Sequence, residues 1–215
     1  MRTTAFVLSL VCALSLGAQT SPEWTKLKKG NRDFQGKKIS FDQLIKTREG
    51  LTDGQNPRVT VLSCSDSRVP PELVFKQTMG KIFLVRSAGN VTDTDGIASI
   101  EYALLPGHDW TRLLVILAHE DCGAVKSAIE TTTHESPNLT ALLTQIDKSF
   151  EGECPKEKRA CLALRTKQNA IHAVDDLKAH SSIIKKAIDD HKLAVVVGYY
   201  ELESGKVVVW KTINN

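Results

Sequence analysis

The sequence predicts an α/β protein whose central, mainly parallel β-sheet is flanked by helices. Strand-like segments rich in β-branched residues alternate with helix-like segments, as expected for parallel strands joined by helical connections. The third strand-like segment is apolar throughout, which is typical of a parallel strand covered on both faces. The five strands are expected at residues 58–64, 81–85, 112–118, 193–198 and 206–210.

The predicted helices complete this pattern and add an N-terminal helical arm at residues 24–34. Pro106-Gly107 is a helix-stop signal and ends one of the helices. At 215 residues the chain is long enough for one sizeable core and short for two ordinary domains. The other helices are expected at residues 40–49, at 94–105, from 122 onward, at 138–150 and over a long stretch from about 158 to 189.

The first 18 residues have the layout of a secretory signal peptide. A short basic start (MRTT) precedes an apolar run at residues 5–16, and small residues then lead into polar sequence at Gln19. The run is short for a bilayer span, so a membrane anchor is the weaker alternative. We therefore expect an exported protein, periplasmic or secreted, without stable membrane insertion and with one folded domain over residues 19–215.

Composition excludes some classes of partner. The chain is 41% hydrophobic and 25% charged, which is typical of a soluble globular protein rather than a disordered one. Its formal net charge of +3 is small, and the basic residues are not clustered with aromatic ones. A nucleic-acid partner is therefore not expected.

Three side chains suited to a metal ion are expected at one edge of the sheet. Cys64 ends the first predicted strand, and His119 and Cys122 follow the third as an H-x-x-C pair. Because ligands in such folds lie beyond the carboxyl ends of the strands, these residues are expected to meet. Thiolates and imidazole are favoured ligands of Zn²⁺, and three protein ligands leave a fourth position open. Spacing alone fits a disulfide between Cys64 and Cys122 equally well.

A carboxylate and a guanidinium follow the first cysteine closely. Asp66 and Arg68 come two and four residues after Cys64. An Arg can hold an Asp in a bidentate pair and keep it ionised. Such an Asp beside a metal could orient a water molecule, could coordinate the metal itself as a fourth ligand in a closed state, or could form a structural ion pair only.

Four motifs in order resemble the beta-class carbonic anhydrases. They are CSDSRVPPE at residues 64–72, LVRSAGN at 84–90, SIEYA at 99–103 and HEDCGA at 119–124. The resemblance runs from about residue 27 to 205, nearly the whole chain after the leader. It implies a Zn²⁺ ion held by Cys64, His119 and Cys122, with Asp66 and Arg68 as the catalytic pair.

The resemblance also implies a substrate pocket. Two departures from the family pattern are Ala118 in place of the usual Gly before the histidine, and Ser87 in place of a common Asn. Neither removes a ligand, but both change residues beside the site. The implied pocket residues are Gln55, Phe83, Ala88, Tyr102 and Gly123.

The reaction implied by the resemblance is the reversible hydration of CO₂ to bicarbonate and a proton by zinc-bound hydroxide. The resemblance further implies a homodimer or higher homo-oligomer with pockets at the subunit interface. One alternative keeps the zinc site but hydrolyses CS₂ or COS. Another is a non-catalytic zinc or redox protein, against which the presence of Asp66, Arg68 and Gln55 argues because a structural zinc needs none of them.

The two remaining cysteines of the expected mature chain predict a disulfide. Cys154 and Cys161 bracket the polar segment PKEKRA, which contains no histidine. In an exported protein a local disulfide between them is favoured over two free thiols.

Overall fold

A computed structural model describes residues 21–38, 40, 42, 48–105, 107 and 110–214. The predicted signal peptide and most of the predicted helix at 40–49 lie outside the described residues. Within them no helix combines the length and apolar character that a bilayer crossing requires. The helices are α1 (Pro22–Gln35), α2 (Pro71–Val74), α3 (Thr94–Tyr102), α4 (Gly123–Glu130), α5 (Pro137–Asp147), α6 (Lys158–His180) and α7 (Ser182–Asp189).

Five strands form one sheet in the order β2-β1-β3-β4-β5, and this confirms the predicted α/β architecture. The pairs β1–β2, β1–β3 and β3–β4 are parallel, whereas β5 joins β4 antiparallel. The central strand β3 is buried along its whole length, which explains its unbroken apolar sequence. The strands are β1 (Val59–Cys64), β2 (Ile82–Ser87), β3 (Leu113–His119), β4 (Ala194–Tyr200) and β5 (Val207–Ile213).

The long helix predicted over residues 158–189 is two helices, α6 and α7. The break lies at Ser181, whose backbone is extended (φ −132°, ψ 110°). Its hydroxyl accepts a hydrogen bond from the Ile184 N–H at 3.1 Å and donates one to the Glu101 carboxylate at 2.6 Å. Ser181 is therefore the N-cap of α7, because a serine oxygen satisfies the otherwise unpaired N–H groups of a helix start.

One face of the sheet packs on the C-terminal helices. Leu114 and Ile116 of β3 lie in the same buried cluster as Val174 and Leu177 of α6. Burial of each such side chain stabilises the fold by about 1.5–3 kcal/mol. The long helix α6 is thus fixed against this face of the sheet.

The opposite face is covered in part by α1, which confirms the predicted N-terminal helical arm. Trp24 and Leu27 are buried with Phe75 and the β-strand residue Val115. Asn31 on the same helix face donates hydrogen bonds to the Val74 and Gly205 carbonyls at 3.1 and 2.8 Å. Helix α1 therefore packs against its own chain over the face that carries these residues.

Candidate metal centre

Three buried ligand atoms meet at the carboxyl edge of the sheet. Cys64 is the last residue of β1, His119 is the last of β3, and Cys122 is the N-cap of α4. Their ligand atoms all lie within 4.8 Å of one another. The two Sγ atoms are 3.9 Å apart, and both cysteines are free thiols rather than a disulfide. Parallel pairing of β1 with β3 explains how residues so distant in sequence come together.

His119 is oriented as a metal ligand. Its Nδ1 atom lies 2.8 Å from the Glu120 carbonyl oxygen, and since a carbonyl only accepts, Nδ1 carries the proton and donates it. The Nε2 atom of this fully buried ring is left as an acceptor, and no described residue supplies a hydrogen bond to it. A second-shell carbonyl that fixes the tautomer is the usual arrangement for a metal-binding histidine.

The two thiols share a hydrogen bond. This bond lowers the pKa of Cys64, and together with burial it raises the pKa of Cys122. The N–H of Gly89 also donates to Cys64 Sγ at 3.3 Å. The backbone N–H groups of Ala124 and Val125 at the start of α4 act in the opposite direction and lower the pKa of Cys122.

These donors fit Zn²⁺. Two sulfur atoms and one imidazole nitrogen within 4.8 Å are the ligand types and spacing that Zn²⁺ prefers. The unpartnered Nε2 of His119 agrees with that use, because a buried polar atom without a partner is otherwise costly. The three side chains would leave one tetrahedral position for water or substrate.

Asp66 and Arg68 form a bidentate pair beside these ligands. Arg68 Nε and Nη2 donate to Asp66 Oδ1 and Oδ2 at 2.9 and 2.7 Å, and the Arg68 backbone N–H adds a bond of 2.9 Å. The Arg68 hydrogen bond lowers the pKa of Asp66 to about 2, and the pair raises the pKa of Arg68. Asp66 Oδ2 lies 3.8 Å from His119 Nε2, so the ionised carboxylate faces the metal position.

Arg86 holds the loop that carries Asp66, a role that the sequence reasoning missed. Its Nε donates to the Cys64 carbonyl at 3.0 Å, and its Nη2 donates to the Asp66 and Val69 carbonyls at 2.7 and 3.3 Å. The neighbouring loop residue Asp121 accepts from Arg68 Nη2 through its carbonyl at 3.1 Å. The signal for Arg86 was present, since it lies inside the LVRSAGN motif, but spacing alone does not show what an arginine contacts.

The predicted pocket residues lie in two places. Ala88 and Gly123 directly adjoin Gly89 and Cys122, close to the ligands. Phe83 lies on the edge strand β2, level with Thr60, and its ring is 6.2 Å from that of Tyr102. At about 3.3 Å per residue, this level is about 13 Å along the strand from Cys64.

Gln55 is exposed and precedes β1. Within one chain Phe83 lies away from the ligands, at the level of Thr60, and Tyr102 lies beside Phe83. The substrate-binding roles of the five pocket residues stay predictions.

The predicted disulfide between Cys154 and Cys161 is present. It joins the loop before α6 to the first turn of that helix. Arg165 on the next turn donates to the Glu151 and Gly152 carbonyls at 2.8 and 2.9 Å. The disulfide and Arg165 together anchor the N-terminal end of α6.

Comparisons with known proteins agree with this site. A family model described as carbonic anhydrase matches residues 59–207. Carbonic anhydrase 2 of Mycobacterium tuberculosis is 32% identical over 208 residues, which cover 89% of this chain and 93% of the relative.

Solved structures show the same fold. The Coccomyxa beta-carbonic anhydrase has a TM-score of 0.69 at 20% identity, over 91% of this chain and 90% of that one. A tetrameric beta-carbonic anhydrase of Sordaria macrospora has a TM-score of 0.66 at 20% identity, over 84% and 93%. The chain therefore belongs to the carbonic anhydrase family of lyases, and its fold is that of the beta class.

Proposed function

We propose that this chain catalyses the reversible hydration of CO₂ to bicarbonate and a proton at a Zn²⁺ ion held by Cys64, His119 and Cys122. The observation that carries the proposal is the buried group of three ligand atoms with an ionised carboxylate beside it. When bound, Zn²⁺ supplies the Lewis acidity that makes water a nucleophile near neutral pH.

Asp66 orients the attacking water. With a pKa of about 2, its carboxylate is ionised at neutral pH and can only accept hydrogen bonds. A water molecule that donates to Asp66 Oδ2 presents its lone pair toward the reacting carbon. Such positioning favours the reaction because it removes the entropy cost of finding the correct orientation.

Arg68 and Arg86 keep Asp66 in place. Arg68 occupies both carboxylate oxygens and leaves their remaining lone pairs for water. Arg86 fixes the backbone of the same loop through three carbonyls. Coordination of the metal by Asp66 itself would require the carboxylate to leave this pair, so the arrangement favours an open fourth position.

The chain is proposed to act as a homodimer or a higher homo-oligomer. Tyr102 is 43% exposed, and Phe83 and Tyr102 form an aromatic group with Trp110 beside the edge strand β2. In the proposed assembly Phe83, Tyr102 and Gln55 contribute to the pocket of a second copy, since Phe83 lies about 13 Å along the sheet from Cys64 of its own chain and Tyr102 lies beside Phe83. The Sordaria macrospora relative is described as tetrameric. Sedimentation of an active monomer would contradict the proposal.

Export to an oxidising compartment, periplasmic or extracellular, is also proposed. The disulfide between Cys154 and Cys161 supports it, because such bonds persist mainly outside the reducing cytosol. Expression of the full chain in a bacterial host followed by fractionation and intact mass measurement tests this proposal. The expected product lacks the first 17 or 18 residues and appears outside the cytoplasm; a full-length cytoplasmic product would contradict export.

The function is tested by measuring zinc content and CO₂ hydration of the purified protein before and after chelation, with CS₂ and COS hydrolysis assayed in parallel. We expect one zinc per chain, hydration that is lost with the metal, and little turnover of the sulfur substrates.

Asp66→Asn should retain zinc and lose hydration by about 100-fold, because it no longer presents an ionised acceptor. Asp190→Asn, at an exposed ion pair with Lys186, is the control. Full zinc with no hydration in the wild type would refute the proposal.

A further inference from the structure

The sulfur of Cys64 receives a hydrogen bond from an unusual turn. Gly89 donates its N–H to Cys64 Sγ at 3.3 Å, and its backbone is left-handed at φ +69°. The next residue, Asn90, is also left-handed at φ +47°, a conformation that non-glycine residues rarely adopt. A left-handed residue other than glycine costs free energy and is kept in place by the structure around it.

The outside contact comes from helix α6. Asn169 is 5% exposed, and its side-chain Nδ2 donates to the Gly89 carbonyl oxygen at 2.7 Å. The two residues are 80 positions apart in sequence, so this bond ties the turn to a separate element. Helix α6 is itself anchored by the disulfide of Cys161 and by the core, which makes it a rigid support.

We propose that Asn169 is a positioning residue for the metal centre, which holds the Gly89 turn so that its N–H points at Cys64 Sγ. The inference rests on the proposed zinc site. Without the amide donor, the buried Gly89 carbonyl has to find another partner, and the turn rotates to provide one. The N–H group then leaves the sulfur, which loses both its orientation and the bond that favours its anionic form.

The test compares two variants of the full-length chain. Asn169→Asp keeps the shape of the side chain but places a carboxylate oxygen against the Gly89 carbonyl, and Asn169→Leu removes the donor altogether. Gln168→Leu is the matched control, because it removes a neighbouring amide of the same helix that bonds the Glu151 carbonyl instead. Zinc affinity is measured by chelator competition, and the thiolate-to-cobalt absorption band is recorded on the Co²⁺-loaded proteins.

We expect both Asn169 variants to bind zinc about tenfold more weakly, as is typical for outer contacts of a metal site, and to shift the cobalt band. The control should match the wild type in both measurements. A purely structural role would lower the melting temperature of the metal-free variants and leave the affinity and the band unchanged; that result would overturn the inference. If Asn169→Leu does not fold, the Asp variant decides alone.

Failure of this inference differs from failure of the proposed function. A wild-type chain that binds zinc and hydrates CO₂, with Asn169 variants that bind zinc equally well, refutes only the role of Asn169. A wild-type chain that binds neither zinc nor cobalt refutes the metal site on which both rest.

Discussion

Replacement of Arg68 by lysine separates orientation of Asp66 from metal binding. Arg68 donates two side-chain hydrogen bonds to Asp66, at 2.9 and 2.7 Å, and a lysine ammonium at the same place can replace only one. Hydrogen bonds to charged groups contribute about 1.5–3 kcal/mol, and because Arg68 is 46% exposed the lower value applies. A loss of about 1.5 kcal/mol in the transition state slows the reaction about tenfold.

Stopped-flow CO₂ hydration with a pH indicator measures this loss, and zinc content is determined on the same samples. We expect kcat/KM of Arg68→Lys to fall about tenfold with zinc unchanged, because the hydrogen bonds of the Arg68 side chain go to Asp66 and the Asp121 carbonyl rather than to a ligand side chain. Arg165→Lys is the control, since it removes the same planar group from carbonyls at Glu151 and Gly152 on the loop before α6. A wild-type rate for Arg68→Lys, or a loss of rate that merely follows a loss of zinc, would show that Arg68 does not act by orienting Asp66.

Three further predictions concern the turn, the disulfide and pH. Gly89→Ala should lower the free energy of unfolding by about 1–3 kcal/mol more than Gly152→Ala. The reason is that a Cβ at Gly89 would lie 2.6 Å from a buried isoleucine of α5, whereas one at Gly152 meets nothing within 4 Å. Urea denaturation of both variants measures the difference, and equal losses of stability would argue against this prediction. Replacing Cys154 and Cys161 by serine together should cost about 2–3 kcal/mol of stability with zinc content unchanged, and equal urea midpoints would contradict this. The rate of hydration should rise from about pH 6.5 to 9. Two thiolates would leave less positive charge on a zinc centre than three imidazoles would, so the pKa of the attacking water would be lowered less. Asp66, with a pKa of about 2, stays ionised over this range, and a flat rate profile would count against the prediction.

The fold was largely predictable because local sequence and tertiary environment agree. The apolar run at residues 112–118 became the buried central strand Leu113–His119, as its composition predicted. Where the prediction differed, the contacts of one side chain decide the structure. Ser181 ends one helix and caps the next through the Ile184 N–H, and its hydroxyl donates to Glu101, a residue of another helix whose position no local pattern contains.

The metal ligands were predictable for a related reason: each lies at or just beyond the end of a strand, and parallel strands share their carboxyl edge. The contacts around them were not. Arg86 and Asn169 act on main-chain carbonyls, which every residue possesses, so no residue type in the sequence marks their partners. Phe83 and Tyr102 match a family pattern, but the order of the motifs does not show that Phe83 lies about 13 Å along the sheet from Cys64, with Tyr102 beside it.

Titration of the metal-free protein with Zn²⁺ tests whether zinc at Cys64, His119 and Cys122 hydrates CO₂. The hydration rate, followed by stopped flow after each addition, should rise linearly and level off at one zinc per chain. Cys122→Ser should need a large excess of zinc and reach a lower rate, because it lacks one thiolate ligand. A metal-free chain that already hydrates CO₂ at the full rate, or a chain loaded with one zinc that does not hydrate it, would contradict the account.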